Sequence, residues 1–199
     1  MIHYLVTGAG NHTFRDSAIL DDDRLRDRFE VLTYAEAFRR GDWRGGAVIF
    51  ADVDRLDDGE AMRASLLYLN MRAARGPLRL LNHPTRSCRR YALLRRLHNI
   101  GLNEHDAYRA DEFRRPRRWP VFIRRESRHD GALTPLLHDY GEVQREIVRL
   151  IARGFLPQDL LIVEFCDTAG PDRVYRKYTA YIVGDRLFQP FVFFGGDWQ

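Results

Sequence analysis

Cationic side chains are the first candidates for chemistry in this sequence, and one of them stands apart. The 199 residues include 32 lysines and arginines, and Lys177 is the single lysine among them. A lysine ammonium is a compact point charge, whereas the planar arginine guanidinium grips phosphate or carboxylate with two hydrogen bonds. Lys177 therefore either marks a position that needs an ammonium or is one residue that a general bias towards arginine missed.

The densest basic segment, residues 113–130, has aromatic residues between its arginines and could contact a polyanion. The net charge is only +4, however, because 28 acidic residues are interspersed with the basic ones. That balance favours a solvated, arginine-rich surface over a nucleic-acid site. A nucleoside triphosphate is also a polyanion, and a few of these arginines would suffice to hold one.

The segment VTGAGNHTF, residues 6–14, has two glycines of a dinucleotide-binding turn but lacks the other features of that turn. Thr13 stands where the third glycine allows close helix–strand packing, and no acidic residue ends the second strand to hold a ribose. A Tyr-x-x-x-Lys catalytic pair is excluded because Arg173 stands four residues before the lysine. A dehydrogenase therefore ranks third among the interpretations, and Gly8 and Gly10 are expected to make a tight turn.

Metal-binding patterns are weak in this sequence. Four carboxylates follow the third predicted strand and could hold Mg²⁺, but helix capping and a solvated loop explain them better. The seven histidines and two cysteines show no zinc-type spacing. Neither a Gly-x-Ser-x-Gly nucleophile elbow nor a Gly-x-x-x-x-Gly-Lys-Ser/Thr phosphate loop occurs. The four carboxylates are Asp52, Asp54, Asp57 and Asp58.

The apolar periodicity that must position these residues predicts two domains of different architecture. In residues 1–82, strands alternate with helices, as in a Rossmann-like parallel sheet. In residues 83–199, successive strands have few helices between them, which favours antiparallel pairing and an α+β domain. The boundary is expected at residues 82–84. In the first domain we predict strands over 2–8, 29–34, 46–54 and 78–82, helices over 16–29 and 57–76, and a brief helix or turn over 35–43.

Helix signals are clearest in the middle of the chain. Asp57 or Asp58 is expected to cap the 57–76 helix, and Gly76 to end it. The next helix is expected to begin with an N-cap at Thr85 and to run to Gly101. Apolar residues fall at helical spacing in both, namely Met62, Leu66, Leu69 and Ala73 in the first and Leu93, Leu94 and Leu97 in the second. The remaining predictions are a helix over 140–154 and strands over 119–125, 159–167, 173–184 and 186–194.

The sequence also bears on compartment and assembly. No run of 18 apolar residues occurs, so we expect no membrane span. The N-terminus lacks the basic region and cleavage site of a secretion signal. Cys88 and Cys166 are too few for a disulfide framework, which predicts a reducing, cytoplasmic location. A homodimer stays open as an alternative to a monomer.

Four motifs, in their order along the chain, resemble those of the ATP-grasp superfamily. The resemblance covers residues 1–199 in the order of elements and is sharp over 78–130 and 160–193. It implies a Rossmann-like pre-ATP-grasp domain over 1–82 and a partial ATP-grasp domain over 83–199, with a lid at about 104–160 and hinge and core strands over 160–199. The motifs are LLNHPTRSCRRYALL at 80–94, WPVFIRRES at 119–127, LIVEFCD at 161–167 and YRKYTAYIVGDRLF at 175–188.

The resemblance also implies a nucleotide site. Arg124 stands where the family usually places a lysine on the ATP phosphates. Glu164 and Phe165 would form the hinge that receives adenine, with the Glu164 carboxylate on the ribose, although a surface charge is the plainer interpretation of Glu164. Lys177 would reach the phosphates from the next strand, on one face with Thr179, Tyr181 and Val183. The segment 125–133 would cover the phosphates, and the other members of the implied site are Arg90, His129 and Gly131.

The implied activity is ATP-dependent activation of a small-molecule carboxylate as an acyl phosphate, which an amine or thiol then attacks. The implied cofactors are ATP and Mg²⁺. The family's magnesium-binding carboxylates follow the VGDR strand, and Asp197 alone does not match them, so we expect the Mg²⁺ ligands beyond residue 199 and an incomplete enzyme in which no catalytic residue is assigned. The alternative explanation of the C-terminal sequence is that its last strand is a natural edge strand. The alternative function is a non-catalytic α/β module whose basic arm holds a phosphorylated partner or nucleic acid.

Overall fold

The structure is a computed structural model, and it divides into two units, Met1–Leu93 and Leu94–Gln199. The division lies within a helix, after the boundary expected at residues 82–84. The first unit holds a parallel sheet and the second holds antiparallel sheets, so the chain is a mixture of α/β and α+β architecture. The residues that the structure describes are 1–8, 22–43, 45–74, 76–128, 130–189 and 191–198.

Four strands of the first unit form a parallel sheet in the order β2-β1-β3-β4. The expected parallel sheet is confirmed, although every strand ends earlier than predicted. Residues 9–14 of the glycine turn and residues 16–21 of the predicted helix 16–29 lie outside the described residues. The strands are β1 (Ile2–Val6), β2 (Phe29–Thr33), β3 (Gly46–Phe50) and β4 (Leu78–Leu81).

Helix caps decide where two of these elements stop and start. The Thr33 hydroxyl accepts the N–H of Glu36 at 3.2 Å, and the Glu36 carboxylate accepts the N–H of Thr33 at 2.7 Å. This capping box ends β2 at Thr33 and begins the next helix at Tyr34. Asp57 caps the following long helix in the same way with Glu60, which confirms the cap expected at this position. The helices are α1 (Asp23–Arg26), α2 (Tyr34–Arg39) and α3 (Asp58–Ala73).

The core of the first unit lies between the sheet and helices α2 and α3. Ala64 and Met71 of α3 pack against the sheet residues Val48 and Phe50. The apolar stripe predicted from Met62, Leu66 and Leu69 is not the buried face of α3. These three side chains are 67, 53 and 49% exposed. Helix α3 therefore has two apolar stripes, and the one that includes Ala64 and Met71 faces the core.

The N-cap expected at Thr85 is wrong. The His83 side chain accepts the N–H of Thr85 at 3.2 Å, and Pro84–Arg86 makes a single 3-10 turn. Ser87 is extended, so the turn does not continue as a helix. Helix α4 (Arg90–Asn99) begins later, and none of its residues is fully buried. Of the expected apolar face, Leu93 is exposed, whereas Leu94 and Leu97 are half-buried.

The second unit is built on a three-stranded antiparallel sheet in the order β5-β7-β6, which confirms the antiparallel pairing expected here. One face of this sheet packs on helix α5, whose Val143 and Leu150 are fully buried among the sheet residues Val121, Ile123 and Ile162. Asp139 caps α5 by accepting the N–H of Glu142 at 2.8 Å. The elements are β5 (Ala107–Arg109), β6 (Val121–Arg125), α5 (Tyr140–Ala152) and β7 (Leu160–Glu164).

Each of the last two predicted strands is broken in two. The strand expected over 173–184 ends at Tyr178, because the N–H and hydroxyl of Thr179 both donate to the Phe191 carbonyl, at 3.1 and 2.8 Å. Beyond this break a hairpin turns at Gly184, whose φ of +65° is one that glycine adopts without strain. The strands are β8 (Tyr175–Tyr178), β9 (Tyr181–Val183), β10 (Arg186–Phe188) and β11 (Val192–Gly195), with β8 paired to β11 and β9 to β10.

Within the described parts of the chain, no helix combines the length and the apolar character that crossing a bilayer requires.

Candidate functional site

A cavity of about 250 Å³ lies in the second unit at the carboxyl end of β7. Small-molecule sites usually measure about 300–1,000 Å³, so this cavity suits one planar ring system rather than a whole cofactor. We call it the hinge cavity, because it lies where β7 leads into Phe165 and Cys166. Its walls are apolar and aromatic on one side and polar on the other.

Aromatic rings form the first wall of the hinge cavity. The ring of Trp198 lies 5.1 Å from that of Phe122 and 5.5 Å from that of Phe165, measured between centroids. Val163 stands opposite Phe122 in the β6–β7 ladder and lines the same space. Tilted aromatic pairs at these distances attract one another, and their exposed faces can stack on a further ring.

The Glu164 carboxylate accepts hydrogen bonds from several residues at the edge of the cavity. Glu164 is 2% exposed, and burial alone would raise its pKa. Hydrogen bonds to its carboxylate outweigh burial and hold the pKa of Glu164 below the ordinary glutamate value. The donors are the Asp106 N–H at 2.9 Å, the Tyr108 hydroxyl at 2.8 Å, the Arg117 N–H at 2.8 Å and the Arg118 N–H at 3.0 Å.

Two further ionisable groups at this rim are also engaged. Asp106 is 2% exposed and pairs with Arg95, while the His98 Nε2 lies 3.7 Å from the same carboxylate. Burial, followed by the hydrogen bond to Glu164, raises the pKa of Tyr108 to about 12. The buried carboxylates at the hinge cavity therefore hold the protein together and are not available to coordinate a ligand.

The backbone of the hinge, in contrast, offers hydrogen-bonding groups to the cavity. The Glu164 N–H donates to the Asp106 carbonyl, but the Asp106 N–H returns to the Glu164 carboxylate instead of the Glu164 carbonyl. Among the described residues, no hydrogen bond reaches the Glu164 carbonyl or the Cys166 N–H. In an extended chain these two groups point to the same side, because backbone direction alternates with every residue. Both groups belong to residues that line the cavity.

Arg124 lies on the face of β6 that lines the cavity. It is two residues from Phe122, so the two side chains project from one face about 7 Å apart. The adjacent Arg125 projects from the opposite face, where its guanidinium lies 5.7 Å from the Phe155 ring centre and pairs with Asp130. The strand therefore presents one cation, Arg124, on the side of the cavity.

The segment expected to cover the phosphates folds back along β6. Gly131 has φ +84°, a left-handed conformation that glycine adopts readily. After this turn Ala132 bridges to Arg124, and the Leu133 N–H donates to the Ile123 carbonyl at 2.7 Å. His129, also predicted for the site, lies outside the described residues.

The structure places the other predicted residues elsewhere. Lys177 is exposed in β8, opposite Phe193 of β11, and does not line the hinge cavity. Arg90 is the first residue of α4 and belongs to the first unit. Sequence reasoning missed Phe122 and Trp198. Period-two alternation from Arg124 would have found Phe122, whereas nothing in the sequence indicates Trp198.

Metal-ligating side chains do not converge in the described parts of the chain. No group of three or more His, Cys, Asp or Glu residues there could hold a metal ion. Two members of the acidic cluster after β3 have structural roles, since Asp57 caps α3 and Asp58 pairs with Arg89 at 2.9 Å.

The arginines of the basic segment contact side chains of their own chain. Arg114 and Arg115 lie over the rings of Tyr108 and Tyr140, at 5.4 and 4.8 Å from the ring centres. Arg118 pairs with Glu104 at 2.9 Å. These contacts spread the charge of residues 113–128 over the unit instead of gathering it in one patch.

Comparison with known proteins does not assign the chain to a family. A scan against protein-family models gave no match, and a search of curated proteins gave no significant match. The function is therefore inferred from the geometry of the hinge cavity.

Proposed function

We propose that the second unit binds an adenine nucleotide, with the base in the hinge cavity and the phosphates directed towards Arg124. The carrying observation is the pair formed by the Glu164 carbonyl and the Cys166 N–H. Adenine carries an amino donor next to a ring-nitrogen acceptor, which complements an acceptor next to a donor. The aromatic wall of Phe122 and Trp198 supplies the stacking surface for the ring.

The position of Arg124 supports the same orientation of the nucleotide. A base that lies on the sheet face formed by Phe122 and Val163 leaves its ribose and phosphates to extend along the same face towards Arg124. A guanidinium donates two parallel hydrogen bonds to phosphate oxygens, and such charge-assisted bonds contribute about 1.5–3 kcal/mol each.

We propose further that this binding serves an ATP-grasp-like reaction, in which ATP activates a small-molecule carboxylate for attack by an amine or thiol. The support is the order of the four sequence motifs, together with the parallel sheet that precedes the antiparallel one. The residues at the hinge cavity do not fit Mg²⁺, because Glu164 accepts four intramolecular hydrogen bonds and Asp106 pairs with Arg95. No step of the reaction is therefore derived through the metal.

Alkylation of Cys166 tests the nucleotide site directly. Cys166 lines the cavity and is exposed, while Cys88 lies in the first unit and serves as an internal control. We expect ATP and adenosine to slow the alkylation of Cys166, followed by mass spectrometry, and to leave that of Cys88 unchanged. Equal alkylation of Cys166 with and without millimolar ATP and adenosine would contradict the proposal.

Guanine nucleotides provide the matched ligand control. Guanine places a carbonyl where adenine has its amino group and an N–H where adenine has its acceptor. The Glu164 carbonyl would then face the guanine carbonyl, and the Cys166 N–H would face the guanine N–H. A site whose polar groups are left unpaired in this way binds the ligand much more weakly. We expect GTP to protect Cys166 far less than ATP does, and equal protection would exclude the proposed base contacts.

The alternative, a basic arm that holds nucleic acid, has less support. The described arginines at 114, 115, 118 and 125 already contact rings or carboxylates of the chain. An RNA mobility shift that persists at 0.2 M salt would favour this alternative, since nonspecific binding through a few arginines is lost at that salt concentration.

A further inference from the structure

A second and larger cavity lies within the first unit, at the carboxyl ends of its parallel strands. Its volume is about 580 Å³, inside the range of roughly 300–1,000 Å³ that is typical of small-molecule sites. We call it the strand-end cavity. Tyr4 of β1 and Phe50 of β3 line its floor, and polar residues that follow β3 and β4 line its rim.

The topology of the sheet supports a ligand site at this place. In the order β2-β1-β3-β4, successive strands add to opposite sides of β1, so the strand order reverses between β1 and β3. Open parallel sheets bind ligands outside the carboxyl ends of their strands at such a reversal, because the connections there leave in opposite directions and open a crevice. The strand-end cavity contacts both strands of the reversal.

Backbone conformation marks the same cavity. Among the described non-glycine residues, four have a positive φ, and two of these four line the cavity. They are Asp52, with φ 52°, and Asn82, with φ 59°. Residues held in this sparsely populated region concentrate at ligand sites, where the surrounding structure maintains the strain.

Opposite charges line the two ends of the strand-end cavity. At the β3 end, one oxygen of the Asp52 carboxylate lies 3.4 Å from the N–H and the hydroxyl of Thr7, and the other lies 3.9 Å from the Arg55 Nε. Asp54 also lines the cavity, whereas Arg55 does not, so two carboxylates face this end. Burial, and after it the negative charge of Asp52, raises the pKa of Tyr4. At the β4 end, the exposed Arg86 supplies a positive charge.

We propose that the strand-end cavity binds a small zwitterionic molecule of the amino-acid type, with its ammonium group near Asp52 and Asp54 and its carboxylate near Arg86. The two ends of such a ligand match the two ends of the cavity in sign. A carboxylic acid without the amine, or an amine without the acid, would satisfy only one end. This inference is independent of the nucleotide site, because every residue that carries it lies in the first unit.

Ligand-observed NMR on the full chain tests this site, with the twenty amino acids as probes. Matched controls are acetate and propionate, which lack the amine, and methylamine and ethylamine, which lack the acid. We expect at least one amino acid to bind and the half-ligands to bind about tenfold more weakly, as the loss of a charged hydrogen bond predicts. No binding of any amino acid at 10 mM, or equal binding of the half-ligands, overturns the proposal.

Three variants assign the binding to the cavity. Asp52→Asn keeps the left-handed backbone, which asparagine tolerates, and removes the charge. Arg86→Ala removes the exposed cation, and Asp58→Asn is the control, because Asp58 is exposed and does not line the cavity. We expect the first two to weaken amino-acid binding about tenfold and the control to leave it unchanged. Unchanged binding in both cavity variants refutes the site, and all three should keep the nucleotide protection of Cys166.

Discussion

Neighbouring arginines on β6 show how strand alternation separates a candidate ligand residue from a structural one. Arg124 shares a face with Phe122 and the hinge cavity, while Arg125 lies over Phe155 and pairs with Asp130. The ATP-grasp resemblance predicted Arg124 as a phosphate ligand, and that role stays a prediction. The exposure of Lys177 could not be predicted from the residue and its neighbours in sequence, because the exposure of a strand residue depends on which other elements pack on that strand.

Arg124→Ala is expected to weaken ATP binding by about ten- to a hundredfold, as the loss of a charge-assisted contact to phosphate predicts. Adenosine binding should not change, because adenosine has no phosphate for the guanidinium to hold. Calorimetric titration of both ligands measures the two affinities. Arg125→Ala is the matched control and should leave both affinities within about twofold, and an equal loss of ATP affinity in the two variants would contradict the assignment of Arg124.

Glu164→Gln is expected to destabilise the second unit by about 2–3 kcal/mol at pH 7, because charged hydrogen bonds from four donors lose their anionic acceptor. Hydrogen bonds depress the pKa of Glu164 below its ordinary value of about 4.3 in the folded chain. The stabilisation is therefore present above pH 4.3 and is lost as the pH falls through the lower folded pKa. Urea unfolding at pH 7 and at pH 3 measures this dependence.

The control for that comparison is Glu104→Gln, which removes an exposed carboxylate paired with Arg118. Its unfolding midpoint should stay close to that of the unaltered chain at both pH values, since exposed ion pairs contribute little. A Glu164→Gln midpoint that matches the control at pH 7 would show that the hydrogen bonds to this carboxylate do not stabilise the fold.

At the scale of elements, the sequence predicted strand direction well and helix starts less well. Alternating strands and helices favour parallel pairing through crossover connections, so the direction of the first sheet could be predicted from the order of elements. Thr85 matched the sequence pattern of an N-cap. In the structure, however, the His83 side chain accepts the Thr85 N–H, and Pro84–Arg86 forms a short 3-10 turn instead of the first turn of a helix. Helix α3 carries two apolar stripes, and its sequence does not say which stripe faces the sheet.

Asp57→Ala tests the cap that was both predicted and found. We expect a loss of about 1 kcal/mol from the free energy of unfolding of the first unit, since the capping box satisfies two backbone N–H groups at the start of α3. Far-ultraviolet circular dichroism during urea unfolding measures this loss. Asp58→Ala is the control, because it removes the next carboxylate and leaves the cap in place. A larger loss of stability in Asp58→Ala than in Asp57→Ala would show that Asp57 is not the capping residue.

At the scale of the whole molecule, two separate hydrophobic cores underlie the two proposed sites. The core around Leu5, Val48 and Phe50 belongs to the first unit, and the core around Ile123, Leu150 and Ile162 belongs to the second. A ligand stabilises the unit that binds it, and it changes exchange in the other unit only if the two units unfold together. Amide hydrogen exchange therefore reports on both sites in one experiment.

With ATP at about a hundred times its dissociation constant, the binding unit gains about 2.7 kcal/mol, which slows exchange from its globally opened state about a hundredfold. We expect that slowing in core peptides of residues 94–198, including those of β6 and β7, and no change in peptides of β1 and β3. A bound amino acid should give the reverse pattern. If ATP slowed exchange only in the first unit, the assignment of the nucleotide to the hinge cavity would be wrong. If an amino acid slowed exchange only in the second unit, the assignment of the zwitterion to the strand-end cavity would be wrong.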